Sequence, residues 1–193
     1  MNQEKSNKQY DTIIADCKKE FIKKNKKYGN SLDSYDAMGV LSKVFIKLYR
    51  IASIQEAGEY KVEGEPIEKE LPGIINYCLF GITVANQIAS GIRVCYSSDA
   101  LFQEYDQAAA STRNLFQKKN HDYGEAWRQL SISYMTQECL VKYNRMLTMY
   151  AGLKFKPENR QELQKEFIEV FSDICNYCIF CCIRISEGAN AMV

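Results

Sequence analysis

FIKKNKKYGN, beginning at Phe21, returns as FQKKNHDYGE, beginning at Phe116, and this recurrence decides the fold. Both copies continue to a Lys-x-x-Arg pair, Lys47 with Arg50 and Lys142 with Arg145, at the same offset of 95 residues. Further on, IINYCLF from Ile74 comes back as ICNYCIF from Ile174, now at an offset of 100. The five added residues fall around AGLKFKPENR (residues 151–160), which reads as a loop. Ordered matches with a single change of length mark a duplicated structural unit. The chain therefore divides into a first repeat at 1–94 and a second at 95–193, with the boundary near Ser90–Ser98.

Each repeat carries three stretches of helical period. The first predicts helices over Ser6–Lys27, Asp36–Ala57 and Pro66–Ser90; the second over Ser98–Asn120, Ser133–Ala151 and Glu158–Glu187. Gly29 and Gly124 suit a left-handed residue at the reversal after each first helix. Pro66 fits a first helical turn, whereas Pro72, deeper in, predicts a kink. Short connections favour antiparallel neighbours, so the expected architecture is all-α. It is a helical bundle of two tandem three-helix repeats with approximate two-fold symmetry.

Composition sets the limits around this reading. The chain has 193 residues, 46% of them hydrophobic, enough for one domain or two small ones packed together. With 25 Lys+Arg against 24 Asp+Glu, neither a basic stripe nor an acidic tail dominates, so no nucleic-acid or membrane-surface partner is expected. Only 3 Pro and 10 Gly disfavour a turn-rich β architecture. The polar start MNQEKSNKQY does not read as a secretory signal, so the expected location is cytoplasmic and the 8 Cys are expected as thiols. The uncharged run Gly73–Gly91 is nearly long enough to span a bilayer. Asn76, Asn86 and Gln87 would be costly there, and the run reads instead as a buried helix.

The last helix holds the chemistry. At about 100° per residue, Glu166, Glu169, Asp173, Asn176, Tyr177 and Phe180 share one face, with Cys175, Cys178 and Cys182 opposite. Buried carboxylates need cations or a metal beside them. Either the three acids gather, or Glu166 and Glu169 lie on a wet end and only Asp173 is buried in an ion pair. On the preceding helix Lys142 and Arg145 share a face, one turn beyond Glu138. These cations balance the carboxylates, or they hold phosphates while the carboxylates hold Mg²⁺. The first repeat keeps Lys47 and Arg50 but has Gly73 for Asp173, Lys69 for Glu169 and Lys27 for Asp122. That loss of acids without loss of cations favours a ligand-facing role for the cations. The turn with Asn120, Asp122, Tyr123, Glu125 and Trp127 is either plain structure or the completion of a hard-cation site. The second repeat thus reads as the chemically competent one and the first as a scaffold or second lobe.

The run Cys175, Cys178, Cys181, Cys182 resembles an iron–sulfur motif, but a continuous helix would splay it, and packed thiols are the expectation. His121, the single histidine, cannot build a zinc site alone. No phosphate-binding P-loop, dinucleotide fingerprint or zinc-protease motif is present.

Lys119-Asn-x-Asp-Tyr-Gly124, then Lys142 with Arg145, then Glu169, Asp173 and the Asn176–Tyr177 pair resemble the nucleotide-modification-associated domain 1 family, at each repeat almost end to end. That family is similar, more distantly, to the all-α nucleoside triphosphate pyrophosphohydrolases of the MazG and dimeric dUTPase type. The resemblance implies cleavage of a nucleotide between its α and β phosphates with Mg²⁺ or Mn²⁺, yielding a monophosphate and pyrophosphate. It implies Glu169 and Asp173 as catalytic metal ligands, with Glu166 or Asp122 completing the set. Lys142 and Arg145, with Lys119, would grip phosphates, while Asn176, Asn120, Tyr123 or Trp127 would meet sugar or base. Related hydrolases carry a further acidic pair on a preceding helix, where this chain has only Glu138 beside Gln137. Three readings stand: a pyrophosphohydrolase, a nucleotide-binding module without turnover, and a structural helical protein. A nucleotide is the expected partner, and a homodimer is left open.

Overall fold

Asp36, itself in extended backbone, begins a helix by accepting the Gly39 N–H on its carboxylate at 2.7 Å. This computed structural model describes residues 3–29, 34–91, 98–153 and 157–192. It contains α1 (Gln3–Tyr28), α2 (Ala37–Ala57), α3 (Ile67–Ser90), α4 (Ser98–Tyr123), α5 (Ile132–Leu153) and α6 (Arg160–Ser186). Short 3-10 turns occupy Ala126–Gln129 and Pro157–Asn159, and the described residues include no strand. The expected helices are all present, within a few residues of their predicted ends. Gly29 and Gly124 do take left-handed backbone, at φ 58° and 59°. Helix α3 runs through Pro72 from Ile67 to Ser90. The stretch 92–97, where the repeats were expected to join, and residues 154–156 of the second loop lie outside the described residues.

The helices form three layers of two. Helices α3 and α6 make the central pair; α2 and α5 pack on each other and each on its own repeat's central helix, while α1 and α4 pack together against both central helices. One hydrophobic core runs through all six, from Tyr10 on α1 to Ile183 on α6. Helix α3 is long and apolar enough to cross a membrane, yet 67% of its apolar window is buried inside the bundle. At the centre, Gly81 lets the layers close. A Cβ placed there would lie 2.4 Å from the Phe171 ring, far inside contact distance.

The approximate two-fold is written in side chains. Asp11 pairs with Arg113 at 2.5 Å, and the repeat-related Lys18 pairs with Asp106 at 2.6 Å. Tyr10 stacks on Phe116 at 4.6 Å between ring centroids, and Tyr105 on Phe21 at 4.8 Å. Every one of these contacts joins one repeat to the other.

Cys17, Cys78, Cys139, Cys175, Cys178 and Cys181 are buried free thiols and Cys182 is partly buried, as packing residues rather than a cluster; Cys95 lies outside the described residues. Burial pushes the Cys78, Cys175 and Cys181 thiols well above their ordinary range.

Candidate functional site

The end of α4 brings Lys119, Asn120 and Tyr123 to one wall of a cavity of about 360 Å³. Trp127 comes from the following turn, Lys142 from α5, and Asp173, Asn176, Tyr177 and Phe180 from α6. The turn between α4 and α5 is held from several sides. Trp127 Nε1 donates to Asn120 Oδ1 at 2.9 Å, and Asn120 Nδ2 donates to Glu125 at 3.2 Å. Glu125 sits in left-handed backbone (φ 61°), a strained conformation for a side-chain-bearing residue. Its buried carboxylate also accepts from the Ser6 hydroxyl of α1 and from Arg128 Nε at 3.2 Å. Burial alone would raise this carboxyl; the Ser6, Asn120 and Arg128 contacts outweigh it and hold Glu125 below the usual carboxylate range. Phe180 stacks on Trp127 at 4.5 Å and the Arg128 guanidinium lies 4.3 Å from the indole, so Trp127 is a packed wall of the cavity.

Asp173 is the electrostatic centre. Its side chain is 6% exposed, with Oδ1 at 2.6 Å from Lys119 Nζ and Oδ2 at 2.6 Å from Lys142 Nζ. Burial pushes the carboxyl up, but the two ammonium groups more than offset this and lower it below the ordinary aspartate value. Asn176 lines the same cavity, 5% exposed; its Oδ1 accepts from Tyr10 at 2.9 Å, while its Nδ2 has no partner among the described residues. Burial also raises the Tyr177 phenol, to about 12, so it stays protonated near neutral pH.

Of the residues singled out in the sequence, Lys119, Asn120, Tyr123, Trp127, Lys142, Asp173 and Asn176 come together here. The others do not. Asp122 is 73% exposed beside His121, and Glu169 is exposed on α6. Glu166 faces Arg145 at 3.8 Å, and neither lines the cavity. The expected gathering of Glu166, Glu169, Asp173 and Asp122 is thus corrected. In the first turns of α6 Leu163 and Phe167 take the buried face, leaving Glu166 partly and Glu169 fully at the surface, so of these acids only Asp173 is deep, and it is ion-paired. Among the described residues no group of three or more His, Cys, Asp or Glu side chains is placed to hold a metal. Both Asp173 oxygens are already taken by ammonium groups, so this donor set does not fit Mg²⁺, which requires several oxygen ligands.

A second correction concerns the cations of the first repeat. Glu70, on α3, binds Lys47 at 2.5 Å and Arg50 at 2.5 Å. Their retention therefore has a structural cause that the comparison with Asp173 and Glu169 alone did not reveal.

A second cavity, also of about 360 Å³, opens in the first repeat. Phe21, Lys24, Asn25, Tyr28, Lys47, Gly73, Asn76, Tyr77 and Phe80 line it, and each is the repeat counterpart of a residue named at the first cavity or, for Phe21, of Phe116. The repeat register alone could have located it; what hid it was reading Gly73 and Lys27 as losses.

Two interlocked helical repeats, each opening a small-molecule-sized cavity walled by two lysines, define a tandem-repeat all-α protein with paired sites. The chain belongs to the nucleotide modification associated domain 1 family, whose model matches residues 24–84 and again 119–185. Each matched segment begins at a cavity lysine, Lys24 or Lys119. No curated protein and no solved structure matches the chain.

Proposed function

We propose that this protein binds nucleotides, using its lysine-walled cavities. The observation that carries the reading is the pairing itself. Two cavities of about 360 Å³ repeat the same lysines, asparagines and aromatic rings, a volume and lining suited to a small ligand with an anionic end and a flat apolar end. The unpartnered Asn176 Nδ2 adds a buried donor that a sugar or base oxygen would satisfy. The family's description makes nucleotides the first ligand class to test. Calorimetric titration of the full chain with a panel of canonical and modified nucleoside mono- and triphosphates tests the proposal. Saturable binding by at least one member supports it, and no binding across the panel overturns it.

Hydrolysis of a triphosphate to the monophosphate and pyrophosphate is the second reading. It is favoured by the position of Asp173, whose carboxylate lines the same cavity as Lys119 and Lys142. Pyrophosphate measured in the same mixtures, with and without Mg²⁺, separates turnover from binding alone.

A further inference from the structure

The two cavities differ at one chemically decisive position. In the second repeat Asp173 places a carboxylate between Lys119 and Lys142, 2.6 Å from each ammonium nitrogen. The chain supplies its own anion there. In the first repeat the corresponding lysines are Lys24 and Lys47, and the position of Asp173 is Gly73. Among the described residues, the lining of that cavity includes two ammonium groups and no carboxylate.

Gly73 marks where an anion would sit. A Cβ built on it would lie 3.4 Å from Lys47 Nζ and 3.2 Å from Lys47 Cε, so the ammonium stands over the space that Asp173 fills in the other repeat. Glu70 binds Lys47 from behind, on α3, and fixes its position. An ammonium has three donors, so this bond leaves others for the cavity. Lys24, at the end of α1, is exposed and has no ion-pair partner among the described residues.

We propose that the first repeat, not the second, holds the phosphoryl group of the ligand, between Lys24 and Lys47 above Gly73. This rests on the reading of the cavities as nucleotide sites and names which one takes the charge. A phosphate oxygen pair there takes the place that the Asp173 carboxylate has in the other repeat, making two charge-assisted contacts that correspond to its two internal ones. The cavity with no carboxylate between its lysines is then the anion receptor, and the second repeat's cavity, filled by Asp173, is the self-neutralised copy. The shared chemistry is a phosphate monoester or free phosphate, and the probes separate these sources.

The test is calorimetry on the full chain with AMP, inorganic phosphate and adenosine. The variants are Gly73→Asp, which installs the internal anion, Lys24→Gln, and Lys142→Gln in the other cavity. Expected is AMP binding that weakens by about tenfold or more in both Gly73→Asp and Lys24→Gln, and by less than either in Lys142→Gln. Phosphate binding that follows the same pattern assigns the site to the phosphoryl group alone; AMP without phosphate binding assigns it to the ester. Lys24 is exposed, so its variant remains informative even if Gly73→Asp disturbs the helix. AMP binding that persists in Lys24→Gln and Gly73→Asp but falls in Lys142→Gln overturns the assignment and leaves nucleotide binding standing. Absence of binding by AMP and by every nucleotide of the wider panel overturns both.

Discussion

Tyr10, on the first helix, donates its hydroxyl to Asn176 Oδ1 on the last at 2.9 Å, and both groups are buried. Tyr105 and Asn76 repeat the bond at 2.7 Å across the approximate two-fold. Each repeat thus reaches into the core beneath the other's cavity. Tyr10→Phe and Tyr105→Phe are each expected to cost about 1–2 kcal/mol in urea unfolding, since a buried acceptor is left unpaired. The Tyr10 change is expected to be the worse of the two. Asn76 Nδ2 still donates to the Cys17 carbonyl at 3.0 Å, whereas Asn176 Nδ2 has no partner among the described residues.

Acid sensitivity follows from Asp173. Its carboxyl is lowered in the folded state, so its contribution is present above the unfolded value, near 3.9, and is lost as pH falls through the folded value. Asp173→Asn is expected to destabilise the chain by about 1–2 kcal/mol at neutral pH. That lies below the usual cost of breaking a buried pair, because Lys119 is 47% exposed and its attraction is screened. The difference from wild type should shrink on acidification below about pH 4. Denaturant midpoints taken across that range check it.

Gly81 and Phe171 form a tight fit between the central helices. Gly81→Ala is expected to destabilise by about 1–3 kcal/mol, because the added methyl meets the ring at 2.4 Å. Phe171→Leu in the same chain should recover part of that loss, and a double-mutant cycle measures the coupling.

The thiols Cys78, Cys175 and Cys178 are buried and held protonated by desolvation or, for Cys178, first by its contact with Cys139. They are expected to react with a disulfide reagent at pH 8 only as fast as the chain unfolds. Mass-resolved labelling with and without denaturant distinguishes this from the fast reaction that exposed redox or metal-ligating cysteines would give.

The duplication was legible because Lys, Asn, Tyr and Gly recur in order, and the six helices followed from their period. Much of the cavity was legible too, since Asp173, Asn176, Tyr177 and Phe180 occupy the α6 face that projection assigns them. The depth at which that face ends was not. Projection places Glu166 and Glu169 on the same stripe, and only packing shows that the stripe leaves the bundle before reaching them. Glu70 was invisible for a related reason: its repeat counterpart is Val170, so register gives no hint that it would bind Lys47 and Arg50. Ser6 and Arg128 meet at Glu125 across more than half the chain, a contact that no local pattern encodes.

The most direct test of the central claim is calorimetric comparison of a nucleotide with its own nucleoside, AMP against adenosine, on the unmodified chain. Lysine-walled nucleotide sites require AMP to bind at least about tenfold more tightly than adenosine, with the advantage falling as salt rises. Equal affinities, or no heat from either titration, would contradict the account.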